Sequence, residues 1–237
     1  MRLVALCSGG KDSALALWRA MGQGHEISCV LAMISRREDS WMFHIPNIRM
    51  VDLFAECACL PLVKVETSGE KDKELSDLEG ALSEIDVDGV VSGAIASSYQ
   101  KKNIGAICSR LGLESLTPLW AENPLDILRD LLRERFEVIV TAAAAEGLGP
   151  EWLGKKLDKN AIGELAELGK GRGISPVGEG GEYESLVLDA PFFKSRIRIL
   201  EAETVWHSTS GCYLVRRADI IGKDENSAGL LPEIPRA

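Results

Sequence analysis

Short apolar runs alternate with amphipathic segments over the first 143 residues. Such runs occupy residues 3–7, 27–34, 60–65, 88–92 and 138–140, and each is typical of a strand buried on both faces of a parallel sheet. Between the runs, apolar residues recur every three or four positions, which predicts helices. We therefore expect an α/β fold with a doubly wound parallel sheet, whose ligands bind at the carboxyl ends of the strands.

The pattern changes after residue 143. Glycine-rich turns separate one predicted helix, over residues 158–168, from strand-like runs at 184–188, 196–206 and 212–221. Residues within the second of these runs alternate with period two, as in a half-exposed antiparallel strand. We expect an α/β domain over residues 1–143 and a second, smaller α+β domain over residues 144–237.

The loop after the first strand is the first candidate site. It is rich in glycine, which permits positive φ, and a helix follows whose N-terminal amides and dipole favour a polyphosphate. The spacing fits neither a P-loop nor a dinucleotide fingerprint. An ordinary solvated turn is the alternative. The candidate phosphate-binding residues are Ser8, Gly9, Gly10, Lys11, Asp12 and Ser13.

Two further strand ends contribute candidates for contact with the same ligand. Met33 lies near the end of the second strand, where a core or rim residue is the alternative to a ligand contact, and Gly93 opens a turn of small residues after the fourth strand. Because carboxyl ends of parallel strands meet at one edge of a sheet, both residues are expected near the glycine loop. Asp12 either binds Mg²⁺ or caps the helix, and the residues leave both roles open.

A second motif is the acidic segment Glu179-Gly-Gly-Glu-Tyr-Glu184. Three carboxylates beside a double glycine are costly to bring together unless they meet cations or take part in chemistry. A solvated acidic hairpin turn is the alternative, and the residues alone do not decide between the two.

Composition limits the partners that we expect. The chain has 36 acidic and 27 basic residues, and its net charge of −9 disfavours binding to nucleic acid. The six cysteines are scattered without the spacing of a zinc site. No apolar stretch is long enough to span a membrane and no signal peptide is evident, so we expect a cytoplasmic protein without membrane contact.

The glycine loop resembles the PP-loop of the ATP pyrophosphatases, which split ATP between the α and β phosphates. Together with the segment Glu179-Gly-Gly-Glu-Tyr-Glu-Ser185, it makes the chain similar to the diphthine ammonia ligase family, also called diphthamide synthetases. Further matches to the family are Met42-Phe-His44, the segment 93–100, Thr117-Pro-Leu-Trp120 and Glu151-Trp-Leu-Gly154. The resemblance runs from residue 3 to about residue 206. It implies that residues 1–143 form a PP-loop ATP-binding domain and residues 144–237 a substrate-binding domain.

This resemblance implies a reaction. Members of the family use ATP and ammonium to amidate diphthine, a modified histidine on translation elongation factor 2, which completes diphthamide. The substrate carboxylate would attack the α-phosphorus, pyrophosphate would leave into the glycine loop, and ammonia would displace AMP from the acyl adenylate. The implied cofactors are ATP and Mg²⁺, with Asp12 as the candidate metal ligand.

The resemblance also implies roles for individual residues. The candidate catalytic residues are Lys11, His44, Glu182 and Glu184. The candidate substrate-binding residues are Tyr99, Gln100, Lys101, Glu179, Gly180, Gly181 and Tyr183. One departure concerns the residues after Gln100, where the family has Arg-x-Arg and this chain has Lys101-Lys102-Asn103. A lysine supplies a point charge but not the bidentate fork of an arginine.

Two other classes of function compete with this interpretation. One is a tRNA-modifying adenylating enzyme with the same loop, which the acidic composition and the lack of a second cysteine pair disfavour. The other is a regulatory nucleotide-binding module without catalysis. The sequence leaves the oligomeric state open, a homodimer included.

Overall fold

The computed structural model describes residues 1–35, 47–68 and 70–223. Its first sheet has five parallel strands in the order β3-β2-β1-β4-β5. The strands are β1 (Arg2–Leu6), β2 (Glu26–Ser35), β3 (Leu62–Thr67), β4 (Gly89–Val91) and β5 (Glu114–Leu116). This order confirms the expected doubly wound sheet. It also places the carboxyl ends of β1, β2 and β4 side by side.

Helices cover both faces of this sheet. They are α1 (Lys11–Gly22), α2 (Val51–Ala58), α3 (Lys71–Ser83), α4 (Ser98–Leu111) and α5 (Pro124–Arg133), and a short 3-10 helix, Ile48–Met50, precedes α2. Alternate residues of β1 point to opposite faces. Leu3 therefore packs with α1, α2 and α5, whereas Val4 packs with α3 and α4.

The second sheet is antiparallel, in the order β7-β6-β9-β8. Its strands are β6 (Glu137–Ala143), β7 (Tyr183–Asp189), β8 (Ser195–His207) and β9 (Ser210–Gly222), and α6 (Lys159–Arg172) connects β6 to β7. The expectation that the run 138–140 belongs to the parallel sheet is wrong. An unbroken apolar run is buried on both faces in either kind of sheet, so periodicity does not distinguish them. The division at residue 143 stays a prediction.

The two sheets share one hydrophobic core. It contains Leu3 and Ala5 of β1, Leu17 of α1, and Ile139 and Leu186 of the second sheet, all at most 2% exposed. The backbone N–H of Val187 in β7 donates to the carbonyl of Gly9 at 2.9 Å, so β7 holds the glycine loop directly. Within the described parts of the chain, no helix has the length and hydrophobicity to cross a membrane.

Candidate active site

A cleft of about 470 Å³ lies between the two sheets. Its walls are the ends of β1, β2 and β4, the start of α1, and the loop 178–181 with β7. Ten of the residues expected from the sequence line it: Ser8, Asp12, Ser13, Met33, Gly93, Gln100, Glu179, Gly180, Gly181 and Glu184. The structure thus brings together the two motifs that lie more than 150 residues apart in the chain.

The glycine loop is tight for two different reasons. Gly9 has φ of +83°, as expected for a residue that has no Cβ. Gly10, the N-cap residue of α1, has φ of −81°, so its backbone conformation does not itself require glycine. A Cβ on Gly10 would lie 3.3 Å from Ser8 Oγ and 3.4 Å from the carbonyl oxygen of Ser185. A side chain at Gly10 would therefore be tight against Ser8 and in contact with β7.

The amides of this loop have weak partners of their own. The N–H groups of Gly9 and Gly10 donate to Cys7 Sγ and Ser8 Oγ, both at 3.4 Å. The N–H of Lys11 donates to Ser185 Oγ at 3.2 Å. These acceptors are neutral, and a phosphate oxygen forms stronger, charge-assisted bonds with the same N–H groups. The loop thus keeps the donors that a polyphosphate needs.

Lys11 does not line the cleft. Its side chain is 3% exposed, with Nζ 2.9 Å from Asp12 Oδ2 and 4.9 Å from the centroid of the Tyr183 ring. Burial acts to lower the pKa of Lys11, but Asp12, Tyr183 and Glu184 outweigh it, so the pKa lies above its ordinary value. The ammonium group stays charged and forms a fixed link between α1 and β7.

Asp12 presents one carboxylate oxygen that lacks a partner. Oδ2 accepts from Lys11, whereas Oδ1 is buried and has no hydrogen-bond partner among the described residues. Burial raises the pKa of Asp12, Lys11 opposes that effect, and Glu179 adds to it. Gly10, not Asp12, is the N-cap residue of α1. A buried oxygen of this kind suits a divalent cation.

Glu184 supplies a titratable carboxylate to the cleft wall. It is partly buried at the start of β7, and its burial raises the pKa to about 7, with Lys11 acting in the opposite direction and Asp12 in the same one. A group with a pKa near 7 exchanges protons readily at neutral pH. Glu184 is therefore suited to act as a general base or to hold a small cation.

Glu182 and Tyr183 lie outside the cleft lining. The Glu182 carboxylate accepts N–H groups from Ser175 and Gly180, both at 2.7 Å. Tyr183 is 2% exposed, donates to the carbonyl of Pro176 at 3.0 Å, and its ring faces Lys11 instead of the cleft. The glycine-rich loop forms few backbone bonds of its own, so Glu182 satisfies its amides.

Glu179 bridges the cleft. Its Oε1 accepts N–H groups from Ile95 at 3.3 Å, Ala96 at 2.8 Å and Ser97 at 2.7 Å. These amides belong to the turn between β4 and α4, so the carboxylate ties the loop 178–181 to the parallel sheet. The expected substrate-binding glutamate is thus engaged with the backbone.

Three residues of α4 were expected to bind substrate, and only one of them lines the cleft. Gln100 lines the cleft, whereas Tyr99 does not. Lys101 lies over the ring of Trp120, with Nζ 4.1 Å from the ring centroid. Lys101 stands where the family has its first arginine, and its ammonium group is engaged by Trp120 instead of pointing into the cleft. His44 falls outside the described residues.

Gly93 has a packing role in addition to lining the cleft. A Cβ there would lie 2.6 Å from the backbone of Asp12 and Ser13. Real Cβ atoms do not approach backbone so closely, so β4 and α1 meet at this position only because it is glycine.

Sequence reasoning missed one residue of the cleft wall, Ser92, and one residue that anchors the segment before α2, Asn47. Ser92 lines the cleft and is 4% exposed, and its hydroxyl has no hydrogen-bond partner within the described ranges. Asn47 has φ of +67°, and its side-chain amide pairs with the backbone of Tyr213 and Val215 in β9, both at 2.8 Å. The only sequence signal for Ser92 is its place at the end of an apolar run. Asn47 had no local signal, because its partners are about 170 residues away in sequence.

The sequence also matches known families. Residues 1–115 match the family model of the diphthamide synthase N-terminal domain, and residues 123–221 match that of the diphthamide synthase C-terminal domain. The chain belongs to the diphthamide synthase family. The two matched regions meet in the segment that connects β5 to α5. The cleft accordingly lies between the two domains that define the family.

Individual relatives agree with this assignment. The diphthine–ammonia ligase of Schizosaccharomyces pombe is 36% identical over 248 residues, covering 95% of this chain and 40% of that protein. The diphthine–ammonia ligase of Rattus norvegicus is 36% identical over 234 residues, covering 88% of this chain and 86% of that protein. This member of the diphthamide synthase family thus spans about two fifths of the first relative and most of the second.

A more distant likeness concerns a solved structure. It is described as a predicted subunit of tRNA methyltransferase from Methanocaldococcus jannaschii, with a TM-score of 0.46 and 17% identity. The superposition covers 80% of this chain and 97% of that one. A likeness this distant assigns no function.

Proposed function

We propose that this chain is an ATP-dependent ligase that amidates diphthine on translation elongation factor 2 to diphthamide. The reaction would proceed through an acyl adenylate attacked by ammonia, with release of AMP and pyrophosphate. The observation that carries the proposal is the cleft itself. The glycine loop, Ser8 to Ser13, and the ionisable carboxyl group of Glu184 both line it, and the chain belongs to the diphthamide synthase family.

The glycine loop would bind the pyrophosphate part of ATP. Donors for phosphate oxygens come from the N–H groups at the start of α1 and from the hydroxyls of Ser8 and Ser13, which line the cleft. Lys11 would act from behind the loop, where its charge stabilises negative charge without contact to the phosphates. Met33, which is buried in the cleft wall, would offer an apolar contact to the base.

Asp12 would hold Mg²⁺ through its unpartnered Oδ1. No cluster of three or more His, Cys, Asp or Glu side chains suited to a metal occurs within the described ranges. That fits Mg²⁺, which is commonly held by one or two carboxylates together with substrate phosphates and water. Bound there, Mg²⁺ would neutralise charge that develops on the phosphate oxygens.

Glu184 would act in the amidation step. Ammonia attacks the acyl carbon, a C–N bond forms, and the C–O bond to AMP breaks. The proton lost by the attacking nitrogen needs an acceptor, and Glu184 is a carboxylate at the cleft wall with a pKa near 7. Glu182 would position the glycine-rich loop, since both of its oxygens are engaged there. His44 remains a candidate for orienting the substrate. Lys102 remains a candidate for supplying the positive charge that the family's arginines carry.

The products of turnover test this proposal. Purified protein, ATP, Mg²⁺, ammonium and elongation factor 2 in its diphthine form should yield AMP and pyrophosphate in equal amounts. The factor carrying unmodified histidine is the matched control and should give no stimulation, because it has no carboxylate to attack ATP. Release of ADP and orthophosphate would exclude the mechanism. Turnover stimulated by tRNA instead would indicate a tRNA-modifying enzyme.

A further inference from the structure

The turn between β4 and α4 forms a pocket for a single negatively charged oxygen. Three consecutive N–H groups, those of Ile95, Ala96 and Ser97, converge on one atom, Glu179 Oε1. Successive backbone amides that point at one spot form an anion-binding concavity. They directly precede α4, a helix of 14 residues with Ser97 as its N-cap residue, and the dipole of this helix adds positive potential nearby.

The occupant of this pocket comes from a distant part of the chain. Glu179 belongs to the loop 178–181 and lies more than 80 residues from the turn in sequence. The turn therefore does not depend on a local side chain for this contact. A carboxylate oxygen that accepts three amide bonds shows which chemistry the pocket takes: an oxyanion.

A second observation points to a ligand at the same wall. Ser92 immediately precedes the turn, lines the cleft and is 4% exposed. Its hydroxyl is a donor, and it has no hydrogen-bond partner among the described residues. A buried hydroxyl left without a partner costs free energy unless something else accepts from it. Ser97 and Glu179 line the same cleft, so the pocket opens to bound ligand.

We propose that the amides of Ile95, Ala96 and Ser97, with the hydroxyl of Ser92, bind an oxyanion of the reacting substrates and that Glu179 occupies this pocket until they arrive. The oxyanion is a carboxylate or a phosphoryl oxygen. The inference rests on the proposed function for its substrates. It assigns Glu179 as an internal competitor for the pocket in the protein without substrate.

The exchange has a favourable charge balance. The ligand oxyanion takes the place of the Glu179 carboxylate as the acceptor of the three amides. Both acceptors are negatively charged, so the number of charge-assisted hydrogen bonds at the amides is maintained. The Glu179 carboxylate is released into the cleft, where the same event has brought a substrate. A cationic substrate group next to the oxyanion would then pair with it.

Binding of AMP and adenosine to three proteins tests the proposal. Glu179→Ala removes the competitor and should bind AMP roughly three- to tenfold more tightly than the unaltered chain. Glu179→Gln keeps a neutral acceptor and should fall between them. Adenosine, which lacks the oxyanion, should bind all three equally. Glu151→Ala is the matched control, because Glu151 also accepts a backbone N–H, from Gly149, away from the cleft.

Other orders of affinity would overturn the proposal. If Glu179 only ties the two walls together, both variants should weaken AMP and adenosine alike, with alanine worse than glutamine. Equal affinity of all three proteins for AMP would exclude a phosphoryl oxygen as the occupant and restrict the proposal to a carboxylate, which the titrations below test. Thermal unfolding of each variant shows whether it is folded, and Glu179→Gln keeps the test decisive where the alanine variant is unstable.

Amide chemical shifts provide an arm that needs no nucleotide. In ¹⁵N-labelled Glu179→Ala, inorganic phosphate and trimethylglycine, a carboxylate next to a trimethylammonium group, are titrated separately. The signals of Ile95, Ala96 and Ser97 should move on addition of one or both, which identifies the source of the oxyanion. Unmoved signals with both probes would refute the pocket. Because no elongation factor is used, failure here is distinct from failure of the proposed ligase activity.

Discussion

Lys11 shows how a single residue can serve a site that it does not line. Its position after two glycines suggested direct contact with phosphate, yet its ammonium lies between Asp12 and the ring of Tyr183. The sequence predicted that Lys11 and Glu184 belong to one site, but it did not predict that the Lys11 side chain lies behind the loop, away from the cleft. That depends on Ser185 and β7, which approach the loop from 174 residues away.

The first prediction concerns the charge of Lys11. Lys11→Met should raise the pKa of Glu184 further above 7, because the cation that opposes the effect of burial is lost. If ionised Glu184 is the active form, the acid limb of the pH profile moves to higher pH. Carboxyl ¹³C NMR titration measures the pKa directly.

Two matched variants make this prediction specific. Lys11→Arg keeps a charge and should leave the pKa of Glu184 near its original value. Lys101→Met removes a lysine that stacks on Trp120 and should have no effect on that pKa. An unchanged titration of Glu184 in Lys11→Met would contradict the electrostatic role.

The second prediction concerns stability against pH. The pKa of Glu184 is raised from 4.5 to about 7 in the folded protein, so the folded state binds the proton more tightly than the unfolded state does. Its contribution to stability is therefore full below about pH 4.5 and is lost as pH rises through 7. Glu184→Gln should remove this loss and stabilise the protein at pH 8 by up to about 3 kcal/mol relative to pH 4. Urea unfolding at both pH values measures it, and an equal effect at both would contradict the shift.

At the scale of elements, helix ends were predictable and strand membership was less so. Asn123 before Pro124 marked the start of α5, and Gly112 marked the end of α4, since caps are local features. The run at β6 was found as a strand but placed in the wrong sheet. Its partners in β7 and β9 follow it by 40 residues or more, and no local pattern encodes which sheet a buried strand joins.

The third prediction concerns the contact between β4 and α1. Gly93→Ala should destabilise the protein by about 2–4 kcal/mol, because its Cβ would overlap the backbone of Asp12 and Ser13 and displace the start of α1. Nucleotide binding should weaken with it. Gly105→Ala, in the interior of α4 with open space around it, should instead stabilise by about 0.5–1 kcal/mol. Urea unfolding compares the two, and equal effects would contradict the close approach.

The fourth prediction concerns the loop between β1 and α1. Gly10→Val should abolish nucleotide binding, because a branched side chain would press on Ser8 and on β7 at Ser185. The cause is crowding by Ser8 and β7, since φ at Gly10 is already negative. Calorimetric titration with ATP measures the loss. Retained affinity would show that the loop moves aside without cost.

At the scale of the whole molecule, the cleft exists because the two sheets share one core. The shared core orients the glycine loop of the first sheet toward the acidic segment of the second. The pairing of these two motifs could be predicted only from their resemblance to a family. The hydrogen bonds that Glu179 and Glu182 accept from backbone amides could not be predicted. They depend on how a glycine-rich loop satisfies its own polar groups.

The most direct test of the central claim is the mass of elongation factor 2 after reaction. Incubation of its diphthine form with this protein, ATP, Mg²⁺ and ammonium should lower the mass of the modified histidine by about one mass unit, as OH is replaced by NH₂. The unmodified factor, and the diphthine form without ATP, should keep their masses. An unchanged diphthine-bearing factor alongside continued ATP turnover would contradict the account.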